Sequence, residues 1–199
     1  MVLTGDGGDE VFAGYNRYSA ARGILAQFDV LPAPLRRMIA AAMAGPSPGA
    51  WDRVFTVLPQ SMRPRSAGEK LHKLAALLPL EPDQRYRQVT SQWADVDAIR
   101  CDAEGPDEAS VREAAALLSD PVARLRTLDL LTYLPGDILT KVDRATMAVG
   151  LEARAPLLDH RLIELSYRLP TDTLMHGGRP KVILRELLER DVPRDLFER

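Results

Sequence analysis

Cysteine is almost missing from these 199 residues. Cys101 stands alone, which rules out an internal disulfide and any zinc site built on several cysteines. Histidine is scarce too, and His72, His160 and His176 are scattered, with no HExxH pattern, so a transition-metal centre is not expected. There is no excess of charge: 26 Lys and Arg face 28 Asp and Glu, for a net charge of −2. A chain so balanced offers no broad basic surface, so nucleic acid and anionic membrane are not expected partners. No apolar run approaches the roughly 18 residues of a membrane span. The opening residues do not read as a secretory leader, so a cytoplasmic location is expected. What the chain does have is a 46% hydrophobic content, enough for a sizeable core. At this length one domain is the first expectation and two small ones are possible.

Glycine and acid are concentrated in one place, Thr4-Gly5-Asp6-Gly7-Gly8-Asp9-Glu10. Val2 and Leu3 before it suit the end of a buried strand, and Val11, Phe12 and Tyr15 after it follow helical spacing. The order is therefore strand, loop, helix. Three glycines in four residues allow close backbone approach and positive φ. Backbone N–H groups in such a loop and at the helix start can face an anion. Asp6 and Asp9 would repel a bare phosphate, but they suit a Mg²⁺-bound phosphate or a group to be positioned or deprotonated. On spacing alone, a tight turn whose acids favour a helix start explains the loop about equally well.

Helical signals dominate the rest. One helix is expected from Glu10 to about Arg22, with Asn16 and Arg17 expected at solvated positions rather than facing a ligand. Others are expected at Pro34–Ala44, Trp51–Leu58, Ser66–Leu78, Pro82–Ala94 and 110–118. The run Gly45-Pro46-Ser47-Pro48-Gly49-Ala50 reads as a loop, and residues 101–110 as a polar loop. Asp120-Pro121 is a strong helix start, followed by Leu125, Leu128, Leu131 and Leu134 as a buried face. Asp159 reads as the N-cap of a helix from His160 to Leu169. The last helix, to about Arg190, places Lys181 in its first turn, where the dipole disfavours a cation. An anion-binding lysine and a solvated one fit that position equally well.

The segment from Asp137 to Ala148 separates by projection at about 100° per residue. Ile138, Leu139, Val142 and Ala145 share one side. Asp137, Thr140, Lys141 and Arg144 share the other, with Asp143 at its border. A solvated face carrying an i,i+4 Asp–Lys pair accounts for this pattern. Glu152 and Arg154 read as a structural ion pair before the next turn.

Together, GDGGDEVFAGYNRY from Gly5 and YLPGDILTKVDRATMAVGLEARAPLLDH from Tyr133 closely resemble the synthetase domain of glutamine-dependent asparagine synthetases. The segment GRPKVILR from Gly178 also resembles that family. The resemblance covers essentially the whole chain, with residues 21–119 least specific. It implies a mostly α structure: the C-terminal helical part of an α/β, PP-loop-type synthetase domain, with a strand-loop-helix segment at 1–22 and a helical region at 23–199. The family's Ser-Gly-Gly-x-Asp-Ser pyrophosphate loop, its glutaminase domain with an N-terminal cysteine, and its late Pro-Lys-x-Gly-Phe-like segment do not occur here. The resemblance thus implies a piece of a longer ATP-dependent ligase of asparagine biosynthesis, inactive by itself.

The implied chemistry carries aspartate to asparagine through a β-aspartyl-adenylate, with ammonia from glutamine. ATP and Mg²⁺ are the implied cofactors, and a homodimer is possible in the parent. By matching positions, Thr4 and Gly5 correspond to the ATP-contacting segment, Asp6 to the carboxylate tied to adenylate formation, and Asp9 to the acid near Mg²⁺ and pyrophosphate. Asp137, Lys141, Asp143 and Arg144 are further candidates for the phosphates and the substrate. Two alternatives remain: a related amidotransferase acting on another acid, and a non-catalytic helical scaffold.

Overall fold

The computed structural model describes residues 1–57, 59, 63–64, 66–90 and 108–197. These residues are mostly helical, and the chain divides into two compact units, one of residues 1–22 and 100–199 and one of residues 23–99.

The first unit contains the sheet. Strand β1 (Val2–Leu3) pairs in parallel with β2 (Ala153–Arg154), with Val2 opposite Ala153 and Leu3 opposite Arg154. Only one strand was expected, because Ala153-Arg154 is too short to show a period of two. The Thr4 N–H continues the ladder by donating to the Arg154 carbonyl at 2.8 Å. The glycine-rich loop therefore leaves from the carboxyl end of a parallel strand.

The single helix expected from Glu10 to Arg22 is instead broken. Helix α1 covers only Gly8–Val11, and α2 begins at Asn16 and runs to Ala20. Between them Ala13 takes φ 55°, a left-handed conformation that ends a helix. The Gly14 N–H closes the turn on the Asp9 carbonyl at 2.8 Å. A residue pattern of apolar spacing cannot reveal a break fixed by one backbone angle.

Further along, α8 (Glu108–Ala116) leads to α9 (Pro121–Leu128), started as expected by Asp120, whose carboxylate accepts the Ala123 N–H at 2.9 Å. A π-helical stretch follows over Asp129–Leu139, with Pro135 inside it, and then α10 (Thr140–Met147). The wider turn changes the phase of the leucine stripe. Leu128 and Leu134 are buried, but Leu131 is exposed. It also shifts the projected face of the next helix: Ile138, Leu139 and Val142 are half-buried while Ala145 is exposed. Beyond β2, the carboxylate of Asp159 accepts the Arg161 N–H at 2.9 Å and caps α11 (His160–Arg168). Short α12 (Thr171–Leu174) and α13 (Val182–Leu188) complete the unit. In α13 Ile183 and Leu184 pack on the core, whereas Leu187 and Leu188 are exposed. The core joins Val11, Phe12, Ala13 and Tyr18 to Val122, Leu174 and Met175.

The second unit holds α3 (Ala26–Asp29), α4 (Ala33–Ala44), α5 (Pro48–Phe55), α6 (Ala67–Leu77) and α7 (Pro82–Thr90). Helix α5 starts earlier than expected because Ser47 caps it and Pro48 supplies its first residue. Buried Arg36 and Arg85 both pair with Asp29, and Arg36 reaches Glu81 at 3.0 Å. Residues 91–94 of the expected Pro82–Ala94 helix, and 101–107 of the expected loop, lie outside the described residues.

Candidate functional site

The site is built around the loop Gly5–Asp9. Gly7 takes φ 83°, open to glycine, and an added Cβ there would lie 2.1 Å from the Leu158 side chain. The loop is therefore seated on Leu157 and Leu158, in the turn after β2. Asp6 is half-buried. Asp9 forms an ion pair with Lys181, Nζ to Oδ1, at 3.0 Å. Lys181 itself takes φ 53° immediately before α13. The pair packs across Gly14, where a Cβ would come within 1.8 Å of Asp9 Oδ1 and 2.3 Å of Lys181 Cε. The odd placement of a lysine at a helix start, inside the family-like segment GRPKVILR from Gly178, is thus the sequence signal for the cation of this candidate site.

Helix α1 is only four residues long. Its dipole is correspondingly small, so the positive charge beside the loop comes chiefly from Lys181. The next residue, Glu10, is 1% exposed and accepts a hydrogen bond from the Tyr15 hydroxyl at 2.8 Å. Burial raises its pKa above the usual carboxylate range, and the charges of Asp129 and Asp9 add to this against the opposing Tyr15 hydrogen bond.

Behind the loop lies a buried polar layer that sequence reasoning missed. Asp129 is fully buried and takes hydrogen bonds from Arg17 Nε at 3.0 Å and from the Tyr18 hydroxyl. Arg17 was expected at a solvated position. Its guanidinium instead lies 3.8 Å from the Tyr15 ring centre and 5.1 Å from that of Tyr133. Burial works against its charge, but Asp129 outweighs burial and raises its pKa. The Tyr18 pKa is raised by burial and by Asp129. Nothing in the local pattern distinguishes these residues from surface polar positions, because their partners lie over 100 residues away.

The other candidates fall as follows. Thr4 is half-buried, with its hydroxyl 3.5 Å from the Arg154 carbonyl, and Gly5 is exposed. Lys141 forms an i,i+4 ion pair with Asp137, and Asp143 and Arg144 are exposed. The π-helical stretch packs against α1, while α10 packs against β2. The Asp137–Lys141 pair and the Asp9–Lys181 pair are two separate charge pairs. Glu152 and Arg154 do pair, at 2.5 Å, on the surface.

A carboxylate beside an ammonium, on a loop of three glycines, suits a metal-bound polyphosphate. Mg²⁺ takes few protein ligands and completes its shell with water and phosphate oxygens. Asp9 can supply such a ligand. Among the described residues no three His, Cys, Asp or Glu side chains gather as a metal site. No helix of the described residues is long and apolar enough to cross a membrane.

The family model for asparagine synthase matches residues 1–199. A provisionally named glutamine-hydrolyzing asparagine synthetase of Mycobacterium tuberculosis H37Rv is 34% identical over 205 residues, covering 100% of this chain and 28% of the relative. Glutamine-hydrolyzing asparagine synthetase 1 of Bacillus subtilis is 26% identical over 217 residues, covering 100% of this chain and 29% of the relative. Its synthetase 3 is 41% identical over 63 residues, 32% of this chain and 10% of the relative. The chain thus spans under a third of the length of these relatives. No solved structure matches.

Proposed function

The chain belongs to the asparagine synthase family, and on that premise we propose that it supplies one wall of an ATP-dependent site that turns aspartate into asparagine. The observation that carries the reading is the Asp9–Lys181 pair on the glycine-rich loop at the carboxyl end of β1. Open parallel sheets bind ligands at the carboxyl ends of their strands. The strands here are assigned to a larger α/β, PP-loop-type sheet.

In the proposed reaction an oxygen of the aspartate side chain attacks the α-phosphorus of ATP. The bond to the β-phosphate oxygen breaks, pyrophosphate leaves, and a β-aspartyl-adenylate forms. Ammonia from glutamine then attacks the acyl carbon and AMP leaves. Negative charge grows on the departing pyrophosphate, so cations fixed beside it favour the transition state. Lys181, held in place by Asp9 and the Gly14 backbone, is assigned that role. Mg²⁺, when bound, supplies further neutralisation of the phosphates, with Asp9 as its protein ligand. Thr4 and Gly5 are assigned to ATP contact. Asp6 is assigned to the substrate: one carboxylate does not stabilise another, so Asp6 takes the substrate's ammonium and leaves its side-chain carboxylate facing ATP. Asp137, Lys141, Asp143 and Arg144 are assigned to the far wall.

The test is pyrophosphate release by the complete protein with aspartate compared with glutamate and other dicarboxylates. The reading expects release with aspartate at least about 10-fold above glutamate, within the range that one extra methylene allows. Equal release with another acid would replace asparagine synthesis by a related amidation.

A further inference from the structure

Arg126 is 1% exposed, among the most deeply buried side chains of the chain, yet its three hydrogen-bond acceptors are all uncharged. Nε donates to the Glu10 carbonyl at 2.9 Å. One terminal nitrogen donates to the Val11 carbonyl at 2.6 Å and to Ser166 Oγ at 2.7 Å. The guanidinium lies 4.5 Å from the centre of the Tyr167 ring. Burying a charge whose hydrogen-bond acceptors are all neutral is costly, so this core arginine calls for a reason.

The reason lies in the backbone of α1. A helix of four residues leaves its last carbonyls without helical partners. Those of Gly7, Gly8 and Asp9 are taken by the N–H groups of Val11, Phe12 and Gly14 at 2.8, 3.2 and 2.8 Å. The next two, Glu10 and Val11, would be orphaned at the break before Ala13. Arg126 takes both. Ser166 in turn donates to the Ile163 carbonyl at 2.7 Å, which ties the clamp to α11. Three residues further along the same helical run, Asp129 holds Arg17 and Tyr18 of α2. One helical run thus grips the chain on both sides of the left-handed break.

We propose that Arg126 is a positioning residue for the Gly5–Asp9 loop: by clamping the carboxyl end of α1 it fixes the backbone that carries Asp6 and Asp9. Its kinetic consequence rests on the synthetase reading above; its structural consequence does not. Lysine keeps the charge but lacks the planar fork that spans two carbonyls and a hydroxyl.

The test uses Arg126→Lys and Ser166→Ala in the complete protein, with two readouts. For Arg126→Lys the kcat of aspartate-dependent pyrophosphate release falls about 10- to 100-fold, with KM for ATP and aspartate within about threefold, because misplacement of reacting groups by about 1 Å is enough. Amide hydrogen exchange rises at Val11, Phe12 and Gly14 but not at Leu162 and Ile163 of α11. Ser166→Ala moves both readouts the same way by less, and decides the matter if the lysine variant does not fold. Unchanged kcat in a folded variant that has merely lost thermal stability overturns the proposal. So does unchanged exchange at those three amides. If the wild-type complete protein releases no pyrophosphate with aspartate, the synthetase reading fails on its own, and the exchange result still decides the clamp.

Discussion

The Lys181 ammonium and the Asp9 carboxylate meet at 3.0 Å across the α-carbon of Gly14, with no room for a methyl group between them. Gly14→Ala therefore pushes the pair apart. The expected result is loss of pyrophosphate release by about 10²-fold in the complete protein, the typical cost of a displaced charge in such a site. The variant should remain folded by circular dichroism. Full activity in Gly14→Ala would remove the pair from the mechanism.

Gly7 tests the seating of the loop independently of chemistry. Alanine there meets both a φ of 83° and the Leu158 side chain at 2.1 Å. Strain and overpacking of this kind each cost about 1–3 kcal/mol. Thermal denaturation of Gly7→Ala should show a clear drop in Tm, whereas Gly5→Ala, with open space around its Cβ, should show little.

Asp129 is the buried anchor of α2. Removing its carboxylate in Asp129→Ala leaves Arg17 and Tyr18 without their partner and should cost about 3–5 kcal/mol. Tyr18→Phe, which removes one donor and keeps the ring, should cost about 1–2 kcal/mol. Urea unfolding of both variants measures this. Equal losses would mean that the Tyr18 hydrogen bond, not the ionic contact with Arg17, is what Asp129 contributes to holding α2.

Glu10 supplies a pH signature with a definite sign. Its pKa is raised in the folded state by burial, so the native protein holds this proton more tightly than the unfolded chain. Its contribution is then fully present below about 4.5, the unfolded value, and is lost as pH rises through the higher folded pKa. Glu10→Gln has no proton to lose. The Tm of the variant relative to wild type should climb as pH increases above about 4.5 and then level off. A constant difference across that range would show that Glu10 is ionised in both states.

Lys141 and Asp137 separate a surface pair from a site pair. Both side chains reach solvent, Lys141 the more so, and surface ion pairs add little to stability. Lys141→Ala should leave Tm unchanged while lowering pyrophosphate release in the complete protein. An unchanged rate would return this segment to the solvated-face reading.

How much of this the sequence disclosed depends on the range of the interaction concerned. The turn at Gly5–Gly8 and the caps at Asp120 and Asp159 are legible because each is fixed by neighbours within a few residues. The break at Ala13, the π turn around Pro135 and the second strand are not, since each is set by backbone geometry that residue spacing does not encode. Asp6 and Asp9 are singled out by their motif, and their roles rest on the proposed reaction. Lys181 stands out as a cation in an unfavourable place and lies within the family-like segment from Gly178 to Arg185. Arg126 and Asp129 are invisible, because in the sequence they are ordinary charged residues of a helix and only the fold brings them against Glu10, Val11 and Tyr18.

The central claim is that the glycine-rich loop holds aspartate for activation by ATP, and Asp6 tests it most directly. The measurement is aspartate- and ATP-dependent pyrophosphate release by the complete protein carrying Asp6→Ala, alongside glutamine hydrolysis by the same preparation. The account predicts that pyrophosphate release disappears while glutamine hydrolysis persists. Pyrophosphate release at the wild-type rate in Asp6→Ala would contradict it.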